Sequence, residues 1–312
     1  MARFGPTTRL PYPPPSRYNS LCLLTSERRR MFFSTCHPVS FFLNARGIDF
    51  SIGSWLDRPF LLAESSGYHW LPFPPEWTLY DHDSENPFWA ELSDWLFKLN
   101  DGLPGRVDNL PLGIRCLHSP ASPPTLLDTE RILLREPYLL AAGNRYKSHR
   151  WELNRLLRID PDPGIRIWSD LSPPPGKDEI KSRFFEMRRK KARNEMDWLM
   201  VDDLEQAHLV AESQWKDLSL TGIILSLRGE AAAWQWLALS ESGKNAVCFL
   251  ECRDPEVGHV SAMMTRLAFQ QFPDLEWINI GGDSGLPGLA LAKDQDHPAI
   301  LVPEYSQNLA GG

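Results

Sequence analysis

The alternation of apolar and polar positions divides the C-terminal half of the chain into a clear succession of elements. Charged and apolar residues at helical spacing predict helices over 178–200 and 201–218, the second capped by Asp202 or Asp203. GIILSLRG and AAAWQWLALS then predict a β-hairpin, and NAVCFLECRD predicts a third strand. A helix (HVSAMMTRLAFQQF), a strand (LEWINIGG), a short helix and a last strand (AILVPEYS) complete the predicted order.

The N-terminal half repeats this order less regularly. DFSIGSW, PFLLAESS and YHWLPFPP predict three consecutive strands, and NPFWAELSDWLFKLN predicts an amphipathic helix with Asn86 as cap and Pro87 at its first position. LGIRCLHSP predicts a strand, GNRYKSHRWELNRLLR a basic helix and GIRIWSDLSPPP a returning strand. The proline-rich segments PDPG and SPPPGK indicate a boundary between the halves near residues 160–178. We therefore predict an extension over 1–16 and domains over 17–173 and 174–312.

The predicted element order is that of acetyltransferase-like (GNAT) domains, so we expect an α/β (α+β) protein with two such domains in tandem. In these domains the helix after the third strand usually receives a pyrophosphate on its exposed amides. Here that position reads RDPEVGHVSA, with one glycine in place of a glycine-rich loop. Coenzyme A binding by the C-terminal half therefore has little support in the sequence.

Composition narrows the class of protein. The formal net charge of −7 over 312 residues argues against a nucleic-acid binder that uses its whole surface. No apolar run approaches the roughly 20 residues that span a bilayer, and no export signal is evident, so we predict a cytoplasmic protein. The five cysteines lack CxxC spacing, which predicts reduced thiols and no metal site. Cys248 and Cys252 are expected to share one strand face.

Two basic segments are candidate binding sites. In GNRYKSHRWELNRLLR, the three- and four-residue spacing of Lys147, Arg150 and Asn154 places them on one helical face, which could hold a phosphate, a tRNA end or a lipid headgroup. The alternative is a solvated amphipathic helix with Trp151 turned inward. RRKK, at residues 188–191, is either a solvated face or a contact for nucleic acid or anionic lipid.

The stretch INIGGDSGLPGLALAK is a candidate catalytic segment. It predicts a glycine-rich turn from strand to helix, with Asp283 placed to orient an amine or accept its proton. The alternative is that Asp283 caps the helix LPGLALAK. No Gly-Lys-Ser/Thr follows, so a phosphate loop of the nucleotide-binding type is not indicated.

These two motifs together resemble one family. GNRYKSHRWELNRLLR and WINIGGDSGLPGLALAKDQDHPAILVPEY resemble the two motif blocks of the phosphatidylglycerol lysyltransferase C-terminal domain family, over roughly residues 20–306. The resemblance implies tandem acetyltransferase-like folds and, for members fused to membrane domains, transfer of an aminoacyl group from tRNA to phosphatidylglycerol. It implies these site residues: Lys147, Arg150 and Asn154 on the donor phosphates, Asp283 and Lys293 in catalysis, and Asn279, Gly285, Gly288 and Tyr305 lining the site.

The chain departs from the family pattern at two positions. Gly281 and Ala290 stand where members commonly carry an acid and an arginine. The first functional hypothesis is a soluble acyl- or aminoacyltransferase, with acyl-coenzyme A or aminoacyl-tRNA as donor and an amine, hydroxyl or lipid headgroup as acceptor. The alternative is a catalytically degenerate binding or scaffold protein with the same tandem fold. A nucleic-acid-binding module ranks third because of the net acidity.

Overall fold

The computed structural model describes Phe4, Ser40, Leu43 and residues 7–10, 47–79, 87–111, 123–168, 176–284 and 286–309. The chain divides into two compact units. Unit 1 comprises Met1–Glu130, Gly282–Gly285 and Val302–Gly312, and unit 2 comprises Arg131–Gly281 and Leu286–Leu301. The turn that carries Asp283 therefore belongs to unit 1, although the segments on both sides of it belong to unit 2.

Unit 1 contains a four-stranded antiparallel sheet. Its strands, in spatial order, are β1 (Thr8–Leu10), β2 (Asp49–Trp55), β3 (Arg58–Ser65) and β4 (Tyr68–Trp70). The other elements described here are α1 (Glu76–Leu79), α2 (Phe88–Leu99), β5 (Arg106–Pro111), the first part of β6 (Thr125–Leu134) and most of β12 (Ile300–Asn308). The buried face of α2, with Phe88, Leu92 and Leu96, packs on an aromatic core that includes Trp55 and Phe60.

Unit 2 contains a sheet in which the end of β6 is followed, in spatial order, by β11, β10, β9, β8 and β7. The strands are β7 (Gly164–Ile167), β8 (Leu220–Leu227), β9 (Glu230–Leu239), β10 (Asn245–Arg253) and β11 (Trp277–Asn279). The helices are α3 (Arg135–Leu140), α4 (Lys147–Ile159), α5 (Lys177–Lys191), α6 (Glu195–Gln214), α7 (Val260–Gln271) and α8 (Pro287–Asp294). An apolar core cluster joins one sheet face to α4 and α7 through residues such as Leu153, Leu237 and Phe269.

Most predicted elements are confirmed. The hairpin β8–β9, the strand β10, the helix α7 and the order strand, helix, strand after it are present, as are the three consecutive N-terminal strands and the helix α2. Strands β5 and β6 were not predicted. The predicted strand LGIRCLHSP and Asn86 lie outside the described residues. The helix α2 begins at Phe88 with Pro87 in the N-cap position, so the prediction that Pro87 is its first residue is wrong.

The predicted boundary between the two long helices is wrong. The break falls at residues 192–194 rather than near residue 200, and EMDWLM forms the start of α6. Asn194 is the N-cap, because its side-chain oxygen accepts the Asp197 backbone N–H at 2.8 Å. The Asp197 carboxylate in turn accepts the Arg193 N–H at 2.8 Å. Asp202 and Asp203, the predicted caps, lie two turns inside the helix.

A bulge in β10 overturns the prediction that Cys248 and Cys252 share a face. The pairing with β9 shifts register between Cys248 and Leu250, which inserts one residue and reverses the alternation beyond it. Cys248 packs against the core that includes α7. The pKa of Cys252 is instead affected by the charges of Glu212 on α6 and Lys181 on α5. The same shift places Glu251 on the face of Cys248.

Strand β10 also separates from its parallel neighbour β11. The pairing covers only Asn245–Val247, although β10 continues to Arg253. The second half of β10, which carries Glu251, is therefore available to other groups along that edge. No helix in the described part of the chain combines the length and apolar content needed to cross a membrane.

Candidate active site

The glycine-rich turn binds a carboxylate of the protein itself. In unit 1 the backbone N–H of Asp283 donates to Asp128 Oδ1 at 2.6 Å, and the N–H of Ser284 donates to Asp128 Oδ2 at 3.1 Å. A Cβ atom at Gly282 would overlap this carboxylate, so a residue without a side chain is required there. The turn does hold an anion, and the anion is Asp128 on β6.

The predicted residues on either side of this turn in the sequence make hydrogen bonds to the backbone. Asn279 is fully buried in unit 2, and its side chain accepts the Gly281 N–H at 2.8 Å. Gly281 has a φ of +76°, which favours glycine where the family has an acid. Lys293 of α8 donates to the carbonyl of Ile280 at 2.6 Å. The side chains of Asn279 and Lys293 thus fix the chain after β11.

The remaining predicted lining residues are Tyr305, Gly288 and Gly285. Tyr305 of β12 pairs with Leu110 in unit 1 and packs against the aromatic core. Gly288 is exposed at the start of α8, where an added Cβ would meet nothing within 4 Å. Gly285 lies outside the described residues.

The predicted phosphate-binding residues divide into two kinds. Lys147 and Asn154 are exposed on α4. Arg150 instead donates to the carbonyls of Ala141 and Gly143, the latter at 2.8 Å, and holds the loop before the helix. Trp151, expected to face inward, is 54% exposed, so that expectation is wrong.

A carboxylate cluster in unit 2 was missed by the sequence analysis. It consists of Asp296, which follows α8, together with Glu251 of β10 and Glu152 of α4. The negative charges of Glu251 and Glu152 raise the pKa of Asp296. Tyr138 of α3 completes it, since its hydroxyl lies 3.5 Å from Asp296 Oδ1 and 3.2 Å from the Ala262 carbonyl.

The cluster makes Asp296 an unusual acid. Asp296 is half-buried, and its desolvation, followed by the charges of Glu251 and Glu152, raises the pKa of its carboxyl from 3.8 to about 7. Burial and the Asp296 charge raise the pKa of Tyr138 well above 10, so its phenol stays protonated. Near neutral pH, Asp296 can therefore accept or return a proton, while Tyr138 remains a hydrogen-bond donor.

The start of α7 supports the position of Glu251. Arg253 Nη1 donates to Ser261 Oγ at 3.0 Å, and Ser261 Oγ donates to Glu251 Oε1 at 2.6 Å. His259 precedes the helix with its Nδ1 3.7 Å from Glu152 Oε1. The helix start that would receive a pyrophosphate in a GNAT domain is thus flanked by two carboxylates, which repel anions and attract an ammonium group.

Other chemistry has less support in the described residues. They contain no group of three or more His, Cys, Asp or Glu side chains placed to hold a metal ion. Cys248 is a free thiol, and burial together with the Glu251 charge raises its pKa to about 12, so it is a poor nucleophile. In the RRKK segment, Arg189 pairs with Asp202 and Glu205, and Lys190 pairs with Glu186 at 2.7 Å.

Comparison with known proteins identifies the fold. No protein-family model and no curated protein sequence matches the chain. A conserved protein of unknown function from Bacteroides thetaiotaomicron VPI-5482 matches 99% of the chain and 100% of its own length, with a TM-score of 0.71 and 17% identity. The C-terminal domain of a candidate lysylphosphatidylglycerol synthetase from Agrobacterium fabrum matches 96% of this chain and 93% of that one (TM-score 0.56, 13% identity).

L-PGS from Bacillus licheniformis gives a similar match, over 95% of this chain and 92% of that one, with a TM-score of 0.51 and 13% identity. The chain has the tandem acetyltransferase-like α/β fold of these proteins, so the predicted fold class and its resemblance are confirmed. The predicted domain limits and the predicted roles of the site residues stay predictions.

Proposed function

We propose that the chain is an acyl- or aminoacyltransferase that moves an activated acyl group to an amine or hydroxyl. The observation that carries the proposal is Asp296, a carboxyl whose pKa is raised to about 7 beside Glu251 and Tyr138. The fold adds support, since it is shared with a candidate lysylphosphatidylglycerol synthetase, whose name describes an aminoacyl ester product.

The reaction needs little beyond alignment and one proton acceptor. The nitrogen lone pair of the acceptor amine attacks the acyl carbonyl carbon, the bond from that carbon to the donor oxygen or sulfur breaks, and the proton that nitrogen releases on attack passes to the leaving group. Glu251 and Glu152 attract the acceptor as an ammonium ion. Asp296 then accepts the proton that makes the nitrogen nucleophilic, and the Tyr138 hydroxyl lies 3.5 Å from Asp296 Oδ1.

The assignment replaces Asp283 by Asp296 as the proton acceptor. Two backbone amides of the Asp283 turn hold Asp128, which gives this segment a structural role in unit 1. The donor proposed from sequence, acyl-coenzyme A or aminoacyl-tRNA, is retained, and the acceptor class remains an amine, a hydroxyl or a lipid headgroup. Lys293 keeps a positioning role through the Ile280 carbonyl.

A transfer assay tests the proposal. The protein is incubated with acetyl-coenzyme A or with tRNA charged with labelled lysine, each with lysine amide, glycerol or phosphatidylglycerol vesicles as acceptor, and products are identified by mass spectrometry. We expect transfer from one donor, with a kcat/KM that rises with pH through about 7 as Asp296 loses its proton. Asp296→Asn should lower this value by about 10²–10⁴-fold.

Asp283→Asn is the matched comparison, because it removes the carboxylate first predicted to be catalytic and leaves the cluster intact. Circular dichroism of both variants establishes that they fold. Loss of transfer in folded Asp283→Asn with full activity in Asp296→Asn would overturn the assignment. Absence of transfer from either donor to all three acceptors would contradict the function and favour a tandem-fold binding protein.

A further inference from the structure

The outer face of α4 carries exposed basic and aromatic side chains that take no part in the carboxylate cluster. They are Lys147, Trp151, Arg155 and Arg158. These residues are spaced three or four apart and are all exposed. Trp151 is 54% exposed, which is unusual for so large an apolar side chain. The face is therefore a candidate binding surface.

Charge sets this surface apart from the rest of the chain. Residues 143–159 contain five cations (Arg145, Lys147, Arg150, Arg155 and Arg158) and one acid (Glu152), a net of +4 in a chain of net −7. Arg145 and Arg150 donate to backbone carbonyls. In the part of the chain that the structure describes, the other three cations form no salt bridge. They are available to an anionic ligand.

The indole of Trp151 is held in place by its neighbours. The Arg155 guanidinium lies over the ring, 5.3 Å from its centroid. The His259 ring meets it edge to face, with centroids 5.0 Å apart and an interplanar angle of 81°. An aromatic ring fixed in this way, beside free cations, is the combination that proteins use to stack a nucleobase and neutralise its phosphates.

The surface adjoins the proposed active site. Glu152 follows Trp151 directly in α4 and belongs to the carboxylate cluster. His259 contacts both residues, through its ring to Trp151 and through Nδ1 to Glu152. A ligand stacked on Trp151 would therefore lie beside the cluster at the start of α7.

We propose that the outer face of α4 binds the adenosine phosphate end of the acyl donor. The purine stacks on the indole of Trp151 opposite the Arg155 guanidinium, and Lys147 and Arg158 neutralise its phosphates. Coenzyme A and the 3′ end of a charged tRNA share this chemistry, since both carry a terminal adenosine next to phosphate. The proposal depends on the proposed function only for the identity of the ligand as a donor, because nucleotide binding is measurable without transfer.

Isothermal titration with two probes tests the surface. Adenosine 3′,5′-bisphosphate represents coenzyme A, and the RNA trinucleotide CCA represents the tRNA end. We expect saturable binding of at least one probe, weakened by at least about fivefold in Trp151→Ala. Lys147→Ala and Arg158→Ala should each lower the salt dependence of binding. Trp198→Ala is the control, since Trp198 is 45% exposed on α6 and lies outside this face. It should bind as the wild type does.

Each outcome decides the question. The tighter probe identifies the source of the adenosine. Unchanged binding in Trp151→Ala, equal losses in the two tryptophan variants, or no binding of either probe up to 10 mM, on the order of the weakest useful affinity, would overturn the proposal. Binding that depends on Trp151, without transfer in the assay above, would refute the proposed function and leave this surface standing.

Discussion

At the scale of single residues, Asp128 and Asp296 differ in their surroundings. Asp128 accepts from two amides of the glycine-rich turn, whereas Asp296 lies 3.5 Å from the Tyr138 hydroxyl and is influenced by the charges of Glu251 and Glu152. The sequence pointed to Asp283 because it stands between glycines. It gave little sign of Asp296, since QDHP looks like an ordinary polar turn. The only available signal was an acid on the short link between α8 and β12.

Gly282 provides a test of the turn. Gly282→Ala should lower the free energy of unfolding by about 1–3 kcal/mol, because the new methyl group would overlap the Asp128 carboxylate and displace the turn. Thermal or urea unfolding monitored by circular dichroism measures the change. Gly288→Ala, which meets nothing within 4 Å, is the control and should be neutral or stabilising by up to about 1 kcal/mol. Equal losses in the two variants would refute the packing explanation.

At the scale of elements, periodicity located the helices and strands well but did not find their irregularities. The bulge at Cys248–Leu250 reverses the alternation along β10, so Glu251 faces the side of Cys248 and α7. A regular strand of the same sequence would place Glu251 on the opposite face from Cys248. The separation of β10 from β11 after Val247 is likewise invisible in the residue pattern. These two irregularities position Glu251, which explains why the cluster could not be predicted.

The start of α6 is a second test at this scale. Asn194→Ala should cost about 1 kcal/mol of stability, because it removes the acceptor for the Asp197 N–H at an exposed helix end. Urea unfolding at pH 7 gives the difference. Asn154→Ala, at an exposed position inside α4, should cause no loss, since alanine is the better helix former. A neutral Asn194→Ala would place the cap elsewhere.

At the scale of the whole molecule, the tandem fold was predictable from the sequence, whereas the carboxylate cluster was not. The order of hairpin, strand, helix, strand, helix and strand in the C-terminal half, with the two motif blocks, led to the fold shared with the lysylphosphatidylglycerol synthetase domain. Two residues of the motif blocks, Arg150 and Lys293, donate to backbone carbonyls and hold loops, and their predicted roles in phosphate binding and catalysis stay predictions. The residues of the carboxylate cluster come from α3, α4, β10 and the segment after α8. They are brought together by tertiary structure, which the local sequence pattern does not predict.

The titration of the Asp296 carboxyl tests the central claim most directly, without any knowledge of the substrate. Carboxyl ¹³C NMR of protein labelled in aspartate is recorded from pH 4 to 9, with the Asp296 signal assigned by its loss in Asp296→Asn. We predict a midpoint of about 7, which falls in Glu251→Gln because a neighbouring negative charge is removed. A midpoint near the ordinary aspartate value of about 4 would mean that Asp296 cannot accept a proton as proposed, and would contradict the account.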